Sequence, residues 1–242
     1  MQNVLVTGAT RGLGLSIARL LKTEGYNVIA TGRKLTPELK ESIEDDSASG
    51  NIHFHAFDMK NTSEIHEFVK TLTKEHGHFY GLVNNAALGH DGVLATMHDS
   101  QIEELVQVNV LSAILLTKYM SRSMLLNRKG RVINVSSIIA STGFNGLSVY
   151  GATKAALSGF TRSLSRELGK SRITVNTIAP GYMETDMTSG LQGEKLKSIK
   201  RRSPLGKLAG VDDVAHSVSF LLSDKAVSMT GSTVTVDAGS TA

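Results

Sequence analysis

The sequence contains no cysteine, which excludes disulfide bonds and zinc sites with thiolate ligands and fits a reducing compartment. It also lacks any apolar run approaching eighteen residues, because glycine, serine or charge interrupts the longest ones, so no transmembrane helix is predicted. The first predicted strand starts at Asn3, which leaves no room for a signal peptide. We therefore expect a soluble, cytoplasmic protein without a membrane partner.

The sequence also lacks a recognisable metal-binding motif. Its eight histidines include the i, i+2 pairs His53/His55 and His76/His78, but no His-x-x-x-His spacing and no carboxylate set near the pairs. We interpret these histidines as structural or surface residues and predict no metal site.

The composition is otherwise that of an ordinary globular protein: 242 residues, 40% hydrophobic and 20% charged. A chain of this length buries roughly 70% of its unfolded surface, and no linker divides it, so residues 1–242 are predicted to form a single α/β domain. A net charge of +4 and a pI near 9.2 are too weakly basic to indicate nucleic acid binding.

A glycine-rich turn near the N-terminus is the first motif that carries chemistry. Residues 4–7 form a short β-rich run, residues 8–14 read Gly-Ala-Thr-Arg-Gly-Leu-Gly, and apolar residues then recur at helical spacing from Leu13. Such glycines permit close approach of the backbone, and a helix N-terminus offers free N–H groups to an anion. The strand, turn and helix together predict a dinucleotide phosphate site.

The end of the second predicted strand, residues 26–31, indicates which dinucleotide is bound. An acidic residue about twenty positions after the glycines would hydrogen-bond the 2′-hydroxyl of NAD. Here Gly32 lies twenty positions after Gly12 and is followed by Arg33, and Arg11 lies inside the loop. Two guanidinium groups can pair with a 2′-phosphate, so NADP(H) is favoured over NAD(H). The alternative for Arg33 is a solvated loop arginine.

Two further predicted strands end in polar residues. Residues 52–57 precede Asp58, which suits an adenine amine and equally suits a cap for the next helix. Residues 80–83 precede the run Asn84-Asn85-Ala86-Ala87. Between the second and third strands, Thr36 and Pro37 predict the start of a helix.

A long apolar helix and the following strand supply two more candidates. Ser100 and Glu103 have the spacing of a capping box at the start of this helix. Asn109 lies within its apolar stripe, where it either faces solvent or holds a water or a backbone group. Residues 131–135 form a strand that delivers Ser137 to its carboxyl end, the edge at which open α/β sheets bind ligands.

Tyr150 and Lys154 form the most suggestive pair. Of the five tyrosines, only Tyr150 has a lysine four positions later, and this spacing puts both side chains on one face of a helix that starts near Val149. Alone, the pair is equally typical of an exposed lysine beside a half-buried tyrosine. Ser137, thirteen positions before Tyr150, joins them only if the strand edge and the helix meet.

These features in this order resemble the short-chain dehydrogenase/reductase family over the whole chain. The resemblance is carried by Thr7-Gly8-x-x-x-Gly12-x-Gly14, Asp58, Asn84-Asn85-Ala86, Asn109, Ser137, Tyr150-x-x-x-Lys154 and Pro180-Gly181. Ala87 stands where the family usually has glycine, which should crowd the nicotinamide side slightly without abolishing binding. The resemblance implies a Rossmann-like, doubly wound sheet of about seven parallel strands with helices on both faces.

The resemblance also implies the roles of the site residues. Asn109, Ser137, Tyr150 and Lys154 would form a catalytic tetrad in which Tyr150 protonates a carbonyl oxygen held by Ser137. Lys154 would bind the ribose and, with the oxidised nicotinamide, lower the pKa of Tyr150, and Asn109 would keep a water linked to Lys154. The implied NADP(H)-binding residues are Gly8, Thr10, Arg11, Gly12, Leu13, Gly14, Arg33, Asp58, Met59, Asn85, Ala86, Ala87, Tyr150, Lys154, Pro180, Gly181, Met183 and Thr185.

Within the family the chain is most similar to 3-oxoacyl-[acyl-carrier-protein] reductases, and the resemblance implies a ketone substrate carried as an acyl thioester in fatty acid synthesis. Acyl carrier proteins are acidic, and two basic groups were candidates to dock one near the cleft. They are Arg128, Lys129, Lys170 and Arg172 at helix ends, and Lys195, Lys197, Lys200, Arg201 and Arg202 in a substrate lid near residues 186–207. A solvated basic face is the alternative. Gly89-His90-Asp91-Gly92 departs from the Arg-Asp pair usual in these reductases.

Two other functions remain open on the sequence. One is a reductase or dehydrogenase of another small ketone, a sugar or an acyl-CoA, and the other is a non-catalytic NADP(H)-binding regulator, which the intact tetrad disfavours. The resemblance implies a homotetramer or dimer formed by the long helices near residues 100–126 and 149–169.

Overall fold

A seven-stranded, all-parallel sheet forms the centre of the molecule. The computed structural model describes residues 1–183 and 193–242, apart from the side chain of Lys195. The strands are β1 (Asn3–Thr7), β2 (Asn27–Gly32), β3 (Asn51–Ala56), β4 (Phe79–Asn84), β5 (Gly130–Val135), β6 (Ile173–Pro180) and β7 (Thr233–Val236). Their order across the sheet is β3-β2-β1-β4-β5-β6-β7. The predicted doubly wound fold is confirmed.

Helices cover both faces of this sheet. In the described residues they are α1 (Gly12–Thr23), α2 (Pro37–Glu44), α3 (Ile65–His76), α4 (Asp99–Val106), α5 (Ser112–Asn127), α6 (Ile139–Thr142), α7 (Ser148–Leu168), α8 (Gly193–Arg202) and α9 (Val211–Leu222). A π-helical turn, Gln107–Leu111, joins α4 to α5 without a break. No helix of the part described is long and apolar enough to cross a membrane.

Strand alternation divides the core into two layers. Val4 and Val6 of β1 point to the face covered by α1 and α9, whereas Leu5 between them points to the face covered by α3, α5 and α7. All three side chains are fully buried, as expected for a parallel strand covered on both sides.

The strand order reverses between β1 and β4, which follow each other in space but not in sequence. Crossovers on either side of this point lead to opposite directions along the sheet, so a crevice opens at the carboxyl ends of the two strands. The turn after β1 starts at Gly8 and the turn after β4 at Asn85, so both predicted polar motifs lie at this crevice.

Helix boundaries test the predicted caps. Thr36 caps α2, because its Oγ1 accepts a hydrogen bond from Leu39 N at 3.3 Å. The capping box predicted at Ser100 and Glu103 is wrong: α4 begins at Asp99, and His98 N donates to Gln101 Oε1 at 3.2 Å. The capping box lies two positions earlier, at His98 and Gln101, and its first residue carries an imidazole and not a hydroxyl group.

Candidate active site

A cleft of about 760 Å³ lies along the carboxyl edge of the sheet. Its walls come from the turns after β1, β2, β3 and β4 on one side, and from the segments after β5 and β6 on the other. The predicted site residues that line it are Gly8, Thr10, Arg11, Gly12, Leu13, Gly14, Arg33, Asp58, Met59, Asn85, Ala86, Ala87, Ser137, Tyr150, Lys154, Pro180, Gly181 and Met183. The structure therefore gathers nearly the whole predicted set at one place.

The glycine turn is packed backbone against backbone. Gly8 and Gly12 have φ of +63° and +53°, a region that favours glycine. A Cβ added to Gly14 would lie 2.2 Å from Gly8 O, so no larger residue fits there without moving the turn. Helix α1 then starts at Gly12 with no side-chain cap and no acidic residue in its first turn. Its first N–H groups thus suit an anionic ligand.

Thr7 and Asn85 lock this turn to the end of β4. Thr7 Oγ1 accepts from Asn85 N at 3.0 Å and from Ala86 N at 2.9 Å. The Asn85 side chain in return donates from Nδ2 to Thr7 O at 2.9 Å and to Gly8 O at 3.2 Å. Asn85 is therefore a brace for the glycine turn as well as a cleft residue.

Arginine, and not an acid, occupies the end of β2. Arg11 and Arg33 both line the cleft and are exposed, so their guanidinium groups are accessible to a ligand phosphate. Gly32 is required beside them, because a Cβ there would lie 2.6 Å from Thr10 Cγ2. Asp58 lies in the turn after β3, where its Oδ1 accepts from Lys60 N at 3.0 Å.

Ser137, Tyr150 and Lys154 meet on the opposite wall. The Ser137 hydroxyl lies close enough to Tyr150 to lower the pKa of its phenol, and Ser137 Oγ accepts from Ile139 N at 3.2 Å. Lys154 is 3% exposed, and its Nζ donates to Val135 O at 2.8 Å and lies 5.7 Å from the centre of the Tyr150 ring. Strand β5 and helix α7 thus hold three side chains from separate segments together.

In the protein alone the pKa of Tyr150 is shifted upward from its ordinary value, whereas a downward shift is predicted. Burial raises it to about 12, outweighing the lowering by the Ser137 hydroxyl, and the charge of Asp91 raises it further. Complete burial lowers the pKa of Lys154 to about 8. In the protein alone Lys154 Nζ donates to a backbone carbonyl and not to the phenol, whereas the expected lowering by lysine concerns the enzyme with oxidised nicotinamide bound. Tyr150 is consequently a neutral proton donor at neutral pH.

Asn109 lies in the π-helical turn and is 1% exposed. Its Oδ1 accepts from Leu88 N at 2.8 Å, and its Nδ2 donates to Leu88 O at 2.9 Å and to Thr153 Oγ1 at 3.1 Å. Thr153 in turn donates to Tyr150 O at 2.7 Å. Of the two predicted alternatives, the backbone-holding one is observed, and Asn109 is the one described member of the predicted set that does not line the cleft.

The substrate side contains residues that the sequence analysis did not assign. Phe144 and Tyr182 line it with ring centres 5.8 Å apart, and Asp91 lies close enough to raise the pKa of Tyr182, after burial, which is the larger cause. Five residues of the span 138–149 line the cleft in all. The sequence offered one indication of Asp91, because the run Gly89-His90-Asp91-Gly92 departs from the Arg-Asp pair usual in these reductases.

Several predictions fall outside this geometry. Thr185 and the first part of the predicted lid lie outside the described residues, as does the side chain of Lys195. The placement of Arg128, Lys129, Lys170 and Arg172 near the cleft is wrong. These residues precede β5 and β6 and so lie at the amino edge of the sheet, about 20 Å from the carboxyl ends.

Helix α8 brings Arg202, a member of the second basic group, close to Tyr182 of the cleft. The charge of Arg202 lowers the pKa of Tyr182, partly offsetting burial and Asp91, which raise it. Lys197 and Arg201 lie 3.0 Å and 4.0 Å from the carboxylate of Glu194 on the same helix. A basic helix therefore lies at the mouth of the site.

Comparisons with known proteins agree with this architecture. A family model described as "Enoyl-(Acyl carrier protein) reductase" matches residues 8–241. The 3-oxoacyl-[acyl-carrier-protein] reductase FabG of Vibrio cholerae is 37% identical over 235 residues, 97% of this chain and 95% of that protein. The Staphylococcus aureus FabG is 34% identical over 98% of this chain and 97% of its own length. A short-chain type dehydrogenase/reductase structure from Mycobacterium ulcerans superposes with a TM-score of 0.92 at 29% identity, covering 99% of this chain and 89% of that one.

Proposed function

Because the chain belongs to the short-chain dehydrogenase/reductase family, we propose that this oxidoreductase uses NADPH to reduce 3-oxoacyl-[acyl-carrier-protein] to the 3-hydroxyacyl form in fatty acid synthesis. One observation carries the proposal. The side chains of Ser137 and Tyr150 both line the cleft, close enough for the Ser137 hydroxyl to lower the pKa of the Tyr150 phenol, and Lys154 lies beside them. Two hydroxyl groups that converge on one point suit a single carbonyl oxygen.

NADPH, when bound, supplies the hydride. Arg11 and Arg33 would hold its 2′-phosphate, and the uncapped N-terminus of α1 would hold the pyrophosphate. Tyr150 donates its proton to the carbonyl oxygen, which becomes the hydroxyl oxygen of the product. Ser137 orients that oxygen, and the ammonium of Lys154 stabilises the phenolate left on Tyr150. Ala87 tightens the wall beside the nicotinamide.

The substrate assignment is supported by the mouth of the cleft. The basic helix α8 suits an acidic carrier protein, and Phe144 with Tyr182 offers an apolar passage for an acyl chain. Enoyl reduction, which the description of the family model names, saturates a carbon–carbon double bond and forms no hydroxyl group, so the product distinguishes the two reactions.

Exposed apolar residues support a homo-oligomer. Val106, Leu111, Leu125 and Leu126 are all at least 40% exposed on the continuous helix that α4 and α5 form. We propose that this helix and α7 pair with copies of themselves in a homotetramer or dimer, and that the enzyme is cytoplasmic.

The test is oxidation of NADPH, followed by its absorbance, with several substrates at equal concentration. They are acetoacetyl and crotonyl thioesters on acyl carrier protein and on coenzyme A, a simple diketone and a sugar. We expect the acetoacetyl carrier-protein thioester to give the highest kcat/KM. A preference for the diketone or the sugar would assign a different substrate to the enzyme. A preference for crotonyl thioesters would mean that a carbon–carbon double bond is reduced and not a carbonyl group. Tight NADPH binding without turnover of any substrate would leave only the regulatory alternative.

A further inference from the structure

Four side chains from two distant segments of the chain meet between the edge strand β3 and the end of helix α3. His55 Nε2 lies 2.8 Å from His76 Nε2 and 3.7 Å from a carboxylate oxygen of Glu75. The nearest ligand atoms of these three residues all lie within 4.8 Å of one another. His53, two positions before His55 on the same face of β3, places its ring centre 5.0 Å from that of His76.

The prediction that no carboxylate set lies near the histidine pairs is wrong. Packing of α3 on β3 brings one member of each pair together and adds Glu75 from α3. None of the four residues lines the cofactor cleft, so the reductase chemistry does not account for them.

From this geometry we propose that His55, Glu75 and His76 bind a divalent transition metal ion of the zinc class, with His53 available as a fourth ligand. Two imidazoles and one carboxylate are a donor set that zinc accepts. Ligand atoms around a tetrahedral zinc ion are about 3.3 Å apart, given bond lengths near 2.0–2.1 Å. The two measured separations, 2.8 Å and 3.7 Å, lie on either side of that value, so small side-chain rotations suffice.

The surroundings of the cluster favour a built site over a chance contact. The backbone after α3 is fixed, because Asn3 Nδ2 donates to His76 O at 2.7 Å and to His78 O at 2.8 Å. His55 is paired within the sheet opposite Thr31, whose Oγ1 donates to His55 O at 2.8 Å. The backbone of both imidazole donors is thus anchored before any ion arrives. A bound ion would connect the edge strand of the sheet to the helix that covers it.

Zinc titration of the full-length, tag-free protein tests this proposal. After dialysis against a chelator and then chelator-free buffer, isothermal calorimetry with ZnCl₂ should give one ion per chain. His55→Gln and His76→Gln should each weaken the affinity about tenfold or more, the size of effect that disturbed metal sites typically show. Zinc should also raise the melting temperature of the unaltered protein but not of these variants.

His66→Gln is the matched control, since His66 lies on the same helix, 3.9 Å from a carboxylate of Glu67, but has no second imidazole beside it. It should bind zinc as the unaltered protein does. Glu75→Gln changes a side chain that is 50% exposed and keeps its size, so this variant should fold normally. It should also weaken zinc binding.

A second measurement uses Co²⁺ in place of zinc in the unaltered protein. A bound four-coordinate ion gives much stronger visible absorption than the hexaaqua ion, and His55→Gln should abolish the increase. The proposal is overturned if zinc binding does not saturate, if His55→Gln and His76→Gln bind as tightly as His66→Gln, or if the Co²⁺ spectrum equals that in buffer. The last results would leave His55 and His76 as a hydrogen-bonded pair.

Discussion

The two walls of the cleft are built in different ways. The wall made by residues 7–14 and 84–86 is backbone on backbone, with glycines that leave no room for a methyl group and Asn85 bonded to main-chain atoms. The wall made by residues 137–150 and 180–183 is carried by side chains, with the hydroxyl pair of Ser137 and Tyr150 and the open ring pair of Phe144 and Tyr182. Under the proposed function, the first wall would hold the cofactor and the second would bind the ketone.

Removing one oxygen from the second wall should produce the largest effect. Tyr150→Phe keeps the ring and its packing but loses the proton donor, so kcat should fall by about 10²- to 10⁴-fold while NADPH affinity is retained. Steady-state assays and fluorescence titration of NADPH measure the two quantities. Tyr182→Phe, in the same cleft, is the control and should lose little. Substantial activity in Tyr150→Phe would assign the proton to another group.

Adding one carbon to the first wall should act on binding and folding instead. Gly14→Ala puts a methyl group 2.2 Å from Gly8 O and 2.6 Å from Asn85 Nδ2, so the turn must move. We expect a loss of about 3 kcal/mol in the free energy of unfolding and greatly weakened NADPH binding. Gly169→Ala is the control, because its φ is −58° and no atom lies within 4 Å of the new methyl group. Equal denaturation midpoints for the two variants would show that the turn has room for a methyl group at position 14.

Arg33 lies at the rim of the first wall, and its replacement should change only the choice of cofactor. Arg33→Ala removes charge-assisted hydrogen bonds to a 2′-phosphate, so the Kd of NADPH should rise about 10- to 100-fold while that of NADH changes little. Lys34→Ala alters the next exposed residue, which does not line the cleft, and should leave both constants unchanged. Parallel loss of both cofactors would remove the basis for assigning NADPH.

The smallest effect near neutral pH should come from the titration of Lys154. Its pKa is lowered to about 8, so its charge is present below that pH and is lost as the pH rises through it, whereas Tyr150 keeps its proton up to about 12. Reduction at saturating NADPH should therefore slow above about pH 8, by up to about tenfold per unit. A kcat profile at saturating NADPH between pH 6 and 10 (about two units to either side) measures this, because saturation removes the contribution of cofactor affinity. A flat profile would show that the ammonium does not assist the proton transfer.

Much of the first wall could be predicted from sequence, since each of its parts is local. Gly8, Gly12 and Gly14 belong to one strand, turn and helix, and the missing acid after β2 is visible in the chain itself. Tyr150 and Lys154 share a helix face for the same reason. These residues all reached the positions that their spacing indicated, although their roles stay proposals.

What could not be predicted depends on contacts between distant elements. The burial that raises the pKa of Tyr150 comes from the assembled cleft, and the backbone carbonyl of Val135 that holds Lys154 belongs to another strand. The pairing of His55 with His76 needed the position of α3 on the sheet. Arg128 and Arg172 were misplaced because proximity to a helix end was taken for proximity to the cleft, whereas residues before a parallel strand lie at its other edge.

The π-helical turn at Gln107–Leu111 makes the packing of this helix depend on its number of residues. A π turn is equivalent to one residue inserted into an α-helix, and each residue of a helix rotates the next by about 100°. Deleting one residue there would restore regular geometry and turn α5 by that angle relative to α4. The fully buried Met120 and Met124 would then leave the core, and Asn109 would lose Leu88. Relatives should therefore tolerate substitutions in this segment far better than a change in its length.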